Sequence, residues 1–134
     1  VRIAAPLAKF KLPEGTTEFR LKRLIITTDL PTTLYLGEIR MVTDDTPIRV
    51  GSLGSQTVAV YDEVLFNPEA DGGVSSLKYA WDFDSSNGIQ AEQTQKVGRF
   101  IYTRGGDFTV TLTVSDADNI KDPVTVKTKV TVSD

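Results

Sequence analysis

The chain contains neither cysteine nor histidine, and each absence removes a class of chemistry. Without cysteine there is no disulfide framework and no thiolate nucleophile, a state compatible with the cytosol and with a bacterial exterior alike. Without histidine the Ser-His-Asp and Cys-His arrangements are excluded, and loss of both residue types takes away the usual ligands of zinc, copper and iron. Long apolar runs are also missing. None approaches the roughly 18 residues of a membrane helix, so membrane insertion is not expected. Basic stripes are absent too: the densest group, Arg20, Lys22 and Arg23, sits in a strand-like run and reads as a solvated face. With a net charge of −3, the chain is not expected to bind nucleic acid.

What is present is β-alternation without a convincing helix. Leu77, Tyr79, Trp81 and Phe83 share one face of LKYAWDFD, and Phe108, Val110, Leu112 and Val114 share one face of GGDFTVTLTVSD, with Thr109, Thr111 and Thr113 opposite. Near the end, Val124, Val126, Val130 and Val132 line one face, while Thr125, Lys127, Lys129 and Thr131 line the other. Strands are predicted over 48–50, 63–66, 77–83, 96–102, 108–114 and 124–132, separated by Gly, Asn, Asp and Ser turns at the spacing of a β-sandwich.

A boundary falls at TDDTP, residues 43–47, where adjacent acids and a proline break the strand pattern. Before it, residues 19–28 (FRLKRLIITT) and 34–42 (LYLGEIRMV) are rich in strand formers and are joined by DLPTT, which predicts an antiparallel pair. Leu24, Ile25 and Ile26 are consecutive, as in a strand covered on both faces. The organisation expected is a β segment over 1–43 followed by a sandwich over 44–134. With 134 residues beginning at Val, the chain reads as a piece of a larger protein.

YAWDFD, then FIYTRGGDFTVTLTVSDADN, then the Thr/Val-rich final strand together resemble the PKD (polycystic kidney disease) domain over about residues 45–134. Tyr79, Trp81, Asp82 and Phe83 match the first part of the family pattern; Tyr102, Gly106, Phe108, Val110, Leu112, Val114 and Asp116 match the second. The departure is DSSNG, residues 84–88, where the family has a GDG turn. The resemblance implies an all-β, Ig-like sandwich, here preceded by an extra antiparallel β segment. Residues 1–42 are more loosely similar to the closing strands of jelly-roll carbohydrate-binding or accessory modules.

Candidate site residues are few. Trp81 offers a face for sugar stacking, but its parity with Tyr79 and Phe83 favours the core, together with Tyr102, Phe108, Val110, Leu112 and Val114. Tyr35 and Tyr61, at a strand start and beside acids, are the candidates for ligand contact. Acids recur at Asp44, Asp45, Asp71 and Asp84, and converging carboxylates suit calcium, the one candidate cofactor. By the resemblance, these four are its first-choice ligands. The competing reading is that aspartates in turns cap backbone N–H groups. No spacing reproduces an EF-hand, and solvated acid pairs on turns do not make a glycosidase acid and base.

The resemblance implies a non-catalytic accessory or spacer module of a secreted or cell-surface multidomain bacterial protein acting on polysaccharide or extracellular matrix. Its partners are then the neighbouring domains of the parent chain. The alternative is a module that binds carbohydrate or protein through exposed aromatics and loops.

Overall fold

The computed structural model of the chain describes residues 2–134, which fall into two units: Pro6–Asp44, and residues 2–5 together with Asp45–Asp134. The larger unit holds eight strands: β1 (Arg49–Val50), β2 (Gln56–Ala59), β3 (Glu63–Phe66), β4 (Ala70–Asp71), β5 (Leu77–Asp82), β6 (Gly98–Ile101), β7 (Gly106–Asp116) and β8 (Val124–Ser133). A four-stranded sheet runs β2-β8-β7-β5, with β2 parallel to β8 and the other pairs antiparallel. Antiparallel β3-β6 and β1-β4 pairs complete the nearly all-β sandwich.

Period-two alternation builds this core. In β7, Phe108, Val110, Leu112 and Val114 are buried, and Val130 and Val132 of β8 join them. Val64 and Phe66 of β3, Ile48, Trp81, Phe83 and Tyr102 close the same cluster. Each such side chain contributes about 1.5–3 kcal/mol by leaving water. Tyr79 is half-buried against the cluster, and burial raises the pKa of its hydroxyl. An aromatic run passes through the core: Phe66 to Trp81, Trp81 to Phe83, Phe83 to Phe100, Phe100 to Tyr102 and Tyr102 to Phe108, with centroids 4.2–5.9 Å apart.

Thr111 departs from the expected polar face. It lies in the middle of β7, between Asp82 of β5 and Lys127 of β8, and is fully buried.

Pro6–Asp44 contains one regular element, the 3-10 turn Leu7–Lys9. Over residues 19–28 and 34–42, where the sequence predicts an antiparallel pair, no hydrogen-bonded strand forms. Leu24, Ile25, Ile26, Leu34, Leu36, Ile39 and Met41 are exposed. The reason is physical: two strands alone are marginal in water, and strands apolar on both faces need covering layers that this unit lacks.

Candidate functional site

The polar groups of the sandwich gather at the two ends of the β5-β7 ladder. At one end, Asp82 of β5 lies opposite Thr111; at the other, Asp116 of β7 lies opposite Leu77. Both carboxylates are buried.

At the Asp82 end, the turn that replaces the family's GDG is organised by side chains. Asp82 Oδ1 accepts from the Asp84 amide at 2.9 Å and its Oδ2 accepts from the Gln90 amide at 2.9 Å. Asp84 caps the 3-10 turn Ser85–Asn87: its Oδ1 accepts from the Ser86 amide at 3.2 Å and from the Ser86 hydroxyl at 2.6 Å. Glu92 Oε2 accepts from the Phe83 amide at 2.8 Å. Beside Trp81, the Glu92 amide donates to its carbonyl, and the indole Nε1 donates to the Gln95 carbonyl at 2.9 Å. The 92–95 segment therefore covers the outer edge of β5.

A shallow groove of about 320 Å³ opens here, lined in part by Asp84, Glu92, Phe100, Tyr102, Arg104 and Phe108. Arg104 pairs with Asp84 at 3.2 Å, and its guanidinium lies 5.2 Å from the centroid of the Phe108 ring. The hydrogen bond from the Ser86 side chain, aided by Arg104, holds the Asp84 carboxyl below its ordinary pKa. A general acid for glycoside cleavage needs the opposite shift. Burial, reinforced by the charges of Asp84, Glu92 and Asp82, raises the Tyr102 hydroxyl far above its usual range. The groove thus presents an ion pair and a neutral phenol whose proton is already donated to the Phe83 carbonyl.

At the Asp116 end, Oδ1 accepts from the Ile120 amide at 2.7 Å, and Oδ2 accepts from the Val74 and Lys121 amides at 3.3 Å each. The Ser75 hydroxyl accepts from the Asp118 amide at 3.1 Å. One buried carboxylate therefore ties together the loops before β5 and after β7.

Of the aspartates suggested for calcium, Asp71 and Asp84 have other partners. Asp71 ends β4 opposite Arg49, and Asp84 is engaged by Ser86 and Arg104. Among the described residues no three acidic side chains stand close enough to hold a metal ion. The acids that are buried cap backbone N–H groups, as turn aspartates do.

Tyr35 is 91 % exposed within Pro6–Asp44, and Tyr61 is 70 % exposed at the turn between β2 and β3. Tyr61 has φ +70°, a left-handed conformation costly for a side chain of this size, and its amide donates to the Tyr102 carbonyl at 2.9 Å. The roles of Glu92 and Arg104 are not legible in the sequence, because neither stands at a recognisable spacing from its partner.

Solved structures similar to this chain include two of different kinds. One is a quinonprotein alcohol dehydrogenase-like protein from Bacteroides thetaiotaomicron, 12 % identical over 60 % of this chain, with a TM-score of 0.47; the match spans 17 % of that protein's length. The other is the PKD1 domain of Vibrio anguillarum Epp, 22 % identical over 67 % of this chain and all of that domain, with a TM-score of 0.44. No helix among the described residues is long and apolar enough to cross a membrane. A family model described as the PKD domain matches residues 44–132, a family of typically extracellular and generally non-catalytic modules. By that match, which spans more than half of its length, this chain belongs to the PKD domain family.

Proposed function

We propose that the chain is a non-catalytic accessory or spacer module of a secreted or cell-surface multidomain bacterial protein that acts on polysaccharide or extracellular matrix. One observation supports this reading above others: Asp82, Glu92 and Asp116 each bind backbone amides of their own loops, so the ends of the sandwich are braced from within. A braced module transmits orientation between the neighbouring domains joined to it, its partners on this reading.

A second reading, recognition of carbohydrate or protein through exposed aromatics, is favoured by Tyr61. It keeps a large, exposed side chain at a left-handed position that glycine takes without strain. Affinity electrophoresis of the 134-residue protein against a polysaccharide panel separates the two. Unchanged mobility on every matrix fits the spacer. Retardation that disappears in Tyr61→Ala or Tyr35→Ala makes it a binding module instead.

A further inference from the structure

Residues 6–44 leave the sandwich unit and return to it. On the outgoing side the Arg2 amide donates to Ser76 Oγ at 3.3 Å, the Ser76 amide donates to the Arg2 carbonyl at 3.3 Å, and the Ala4 amide donates to Asp118 Oδ2 at 2.9 Å. On the returning side Ile48 is buried, and Gly72, at φ +84°, leaves room for the Pro47 carbonyl where a Cβ would collide. Pro6–Asp44 is therefore a chain segment held at both stems.

Between Leu21 and Val42 this segment exposes eleven large apolar side chains, each by 47 % or more. They amount to on the order of 1,000 Å² of apolar surface, against the few hundred a monomer commonly exposes and the roughly 800 Å² per partner of a standard interface. Strand formers with no ladder need an edge to pair with.

The sequence LGEIRMV carries the identity of that edge. Placed antiparallel to itself about Ile39, it sets Leu36 opposite Val42, Gly37 opposite Met41, Glu38 opposite Arg40, and Ile39 opposite its own copy. Every apolar residue then meets an apolar residue or glycine, and every charge meets its opposite, twice by symmetry. Centring the pairing on residue 38 sets Glu38 against itself, and centring it on residue 40 sets Arg40 against itself. Registers between residues place charges opposite Gly37, Ile39 or Met41. Within one chain Glu38 and Arg40 already share a face, 3.6 Å apart, with 71 % and 66 % of their side chains exposed. Residues 19–28 hold three basic residues and no acid, so they lack this complementarity.

We propose that residues 36–42 pair antiparallel with the same segment of a second copy of this chain, with the two-fold axis at Ile39. Sedimentation velocity of the 134-residue protein, over a range reaching high micromolar concentration, is expected to show conversion from 14.7 kDa to twice that mass. Ile39→Lys sets two ammonium groups face to face at the axis and is expected to leave only the smaller species. Glu38→Arg sets like charges opposite each other and is expected to weaken association by about tenfold or more, a fold-change of about 1.4 kcal/mol. Adding Arg40→Glu to that variant is expected to restore it. Because the chain has no cysteine, Ile39→Cys tests the register alone: facing strands bring Cα atoms to about 4.5–5.5 Å, within disulfide reach, so oxidation is expected to yield a covalent dimer. Trp81 emission reports that the sandwich is intact in each variant. A protein of 14.7 kDa at every concentration overturns the proposal and leaves the segment to a different chain or domain. A dimer indifferent to Ile39→Lys, or an oxidised Ile39→Cys variant that stays monomeric, overturns it equally.

Discussion

The Tyr102 hydroxyl donates a 2.7 Å hydrogen bond to the Phe83 carbonyl, closing the aromatic core at the end of β5. Both residues are buried, so Tyr102→Phe leaves that carbonyl without its partner. Loss of about 1–3 kcal/mol is expected, measured by urea unfolding. The pH dependence has a definite sign. Burial first, then the charges of Asp84, Glu92 and Asp82, raise the Tyr102 pKa in the folded state. The fold therefore retains a proton that the unfolded chain gives up near pH 10, and this contribution is intact below that pH and lost as pH rises above it. Tyr79, raised by burial, acts in the same direction. Tyr102→Phe should flatten the alkaline fall in stability.

Gly98 of β6 lies against the indole of Trp81, and a Cβ there would sit 2.7 Å from the ring. Gly98→Ala is expected to cost about 1–3 kcal/mol by overpacking. Trp81→Ala, which empties the same contact, is expected to cost about 3–5 kcal/mol. Denaturant titrations of the two variants check both values, and a near-neutral Trp81→Ala would mean that the ring does not anchor the core.

Thr111 Oγ1 is a buried side-chain oxygen with no hydrogen-bond partner among the described residues. Thr111→Val keeps the shape and removes the unpaired hydroxyl, so stability should stay level or rise by up to about 1 kcal/mol. A fall of more than that in thermal unfolding would reveal a partner for the hydroxyl.

The contrast between these sites shows what the chain makes legible. Trp81, Phe108, Val110, Leu112 and Val114 are readable because apolar residues recur there at a two-residue period, and the Val face of β8 is readable for the same reason. Strand β2 is not: it has four residues, and it pairs in parallel with β8, so Gln56 meets Val130 and no local turn marks the pairing. Burial of Thr111 depends on the strands at its sides. Residues 19–28 and 34–42 show strand composition, but composition cannot supply the second layer that strands need. The same limit applies to the candidate site. Aspartate in turns was visible; that Glu92 reaches the Phe83 amide and Arg104 reaches Asp84 is set by folding across 9 and 20 residues.

Calcium provides a further separation. Among the described residues no three acids cluster, so if the turn aspartates serve as caps, thermal unfolding with calcium and with EGTA should coincide. A rise in melting temperature with calcium would require a site built from other oxygens.

Amide hydrogen exchange on the 134-residue protein tests most directly whether the sandwich ends are braced by their own carboxylates. The Phe83, Gln90 and Ile120 amides donate to Glu92, Asp82 and Asp116, so they should exchange nearly as slowly as the β7 amides although they lie outside the strands. If these three exchange as fast as exposed loop amides while β7 stays protected, the carboxylates are free for a ligand and the ends of the sandwich are not a scaffold.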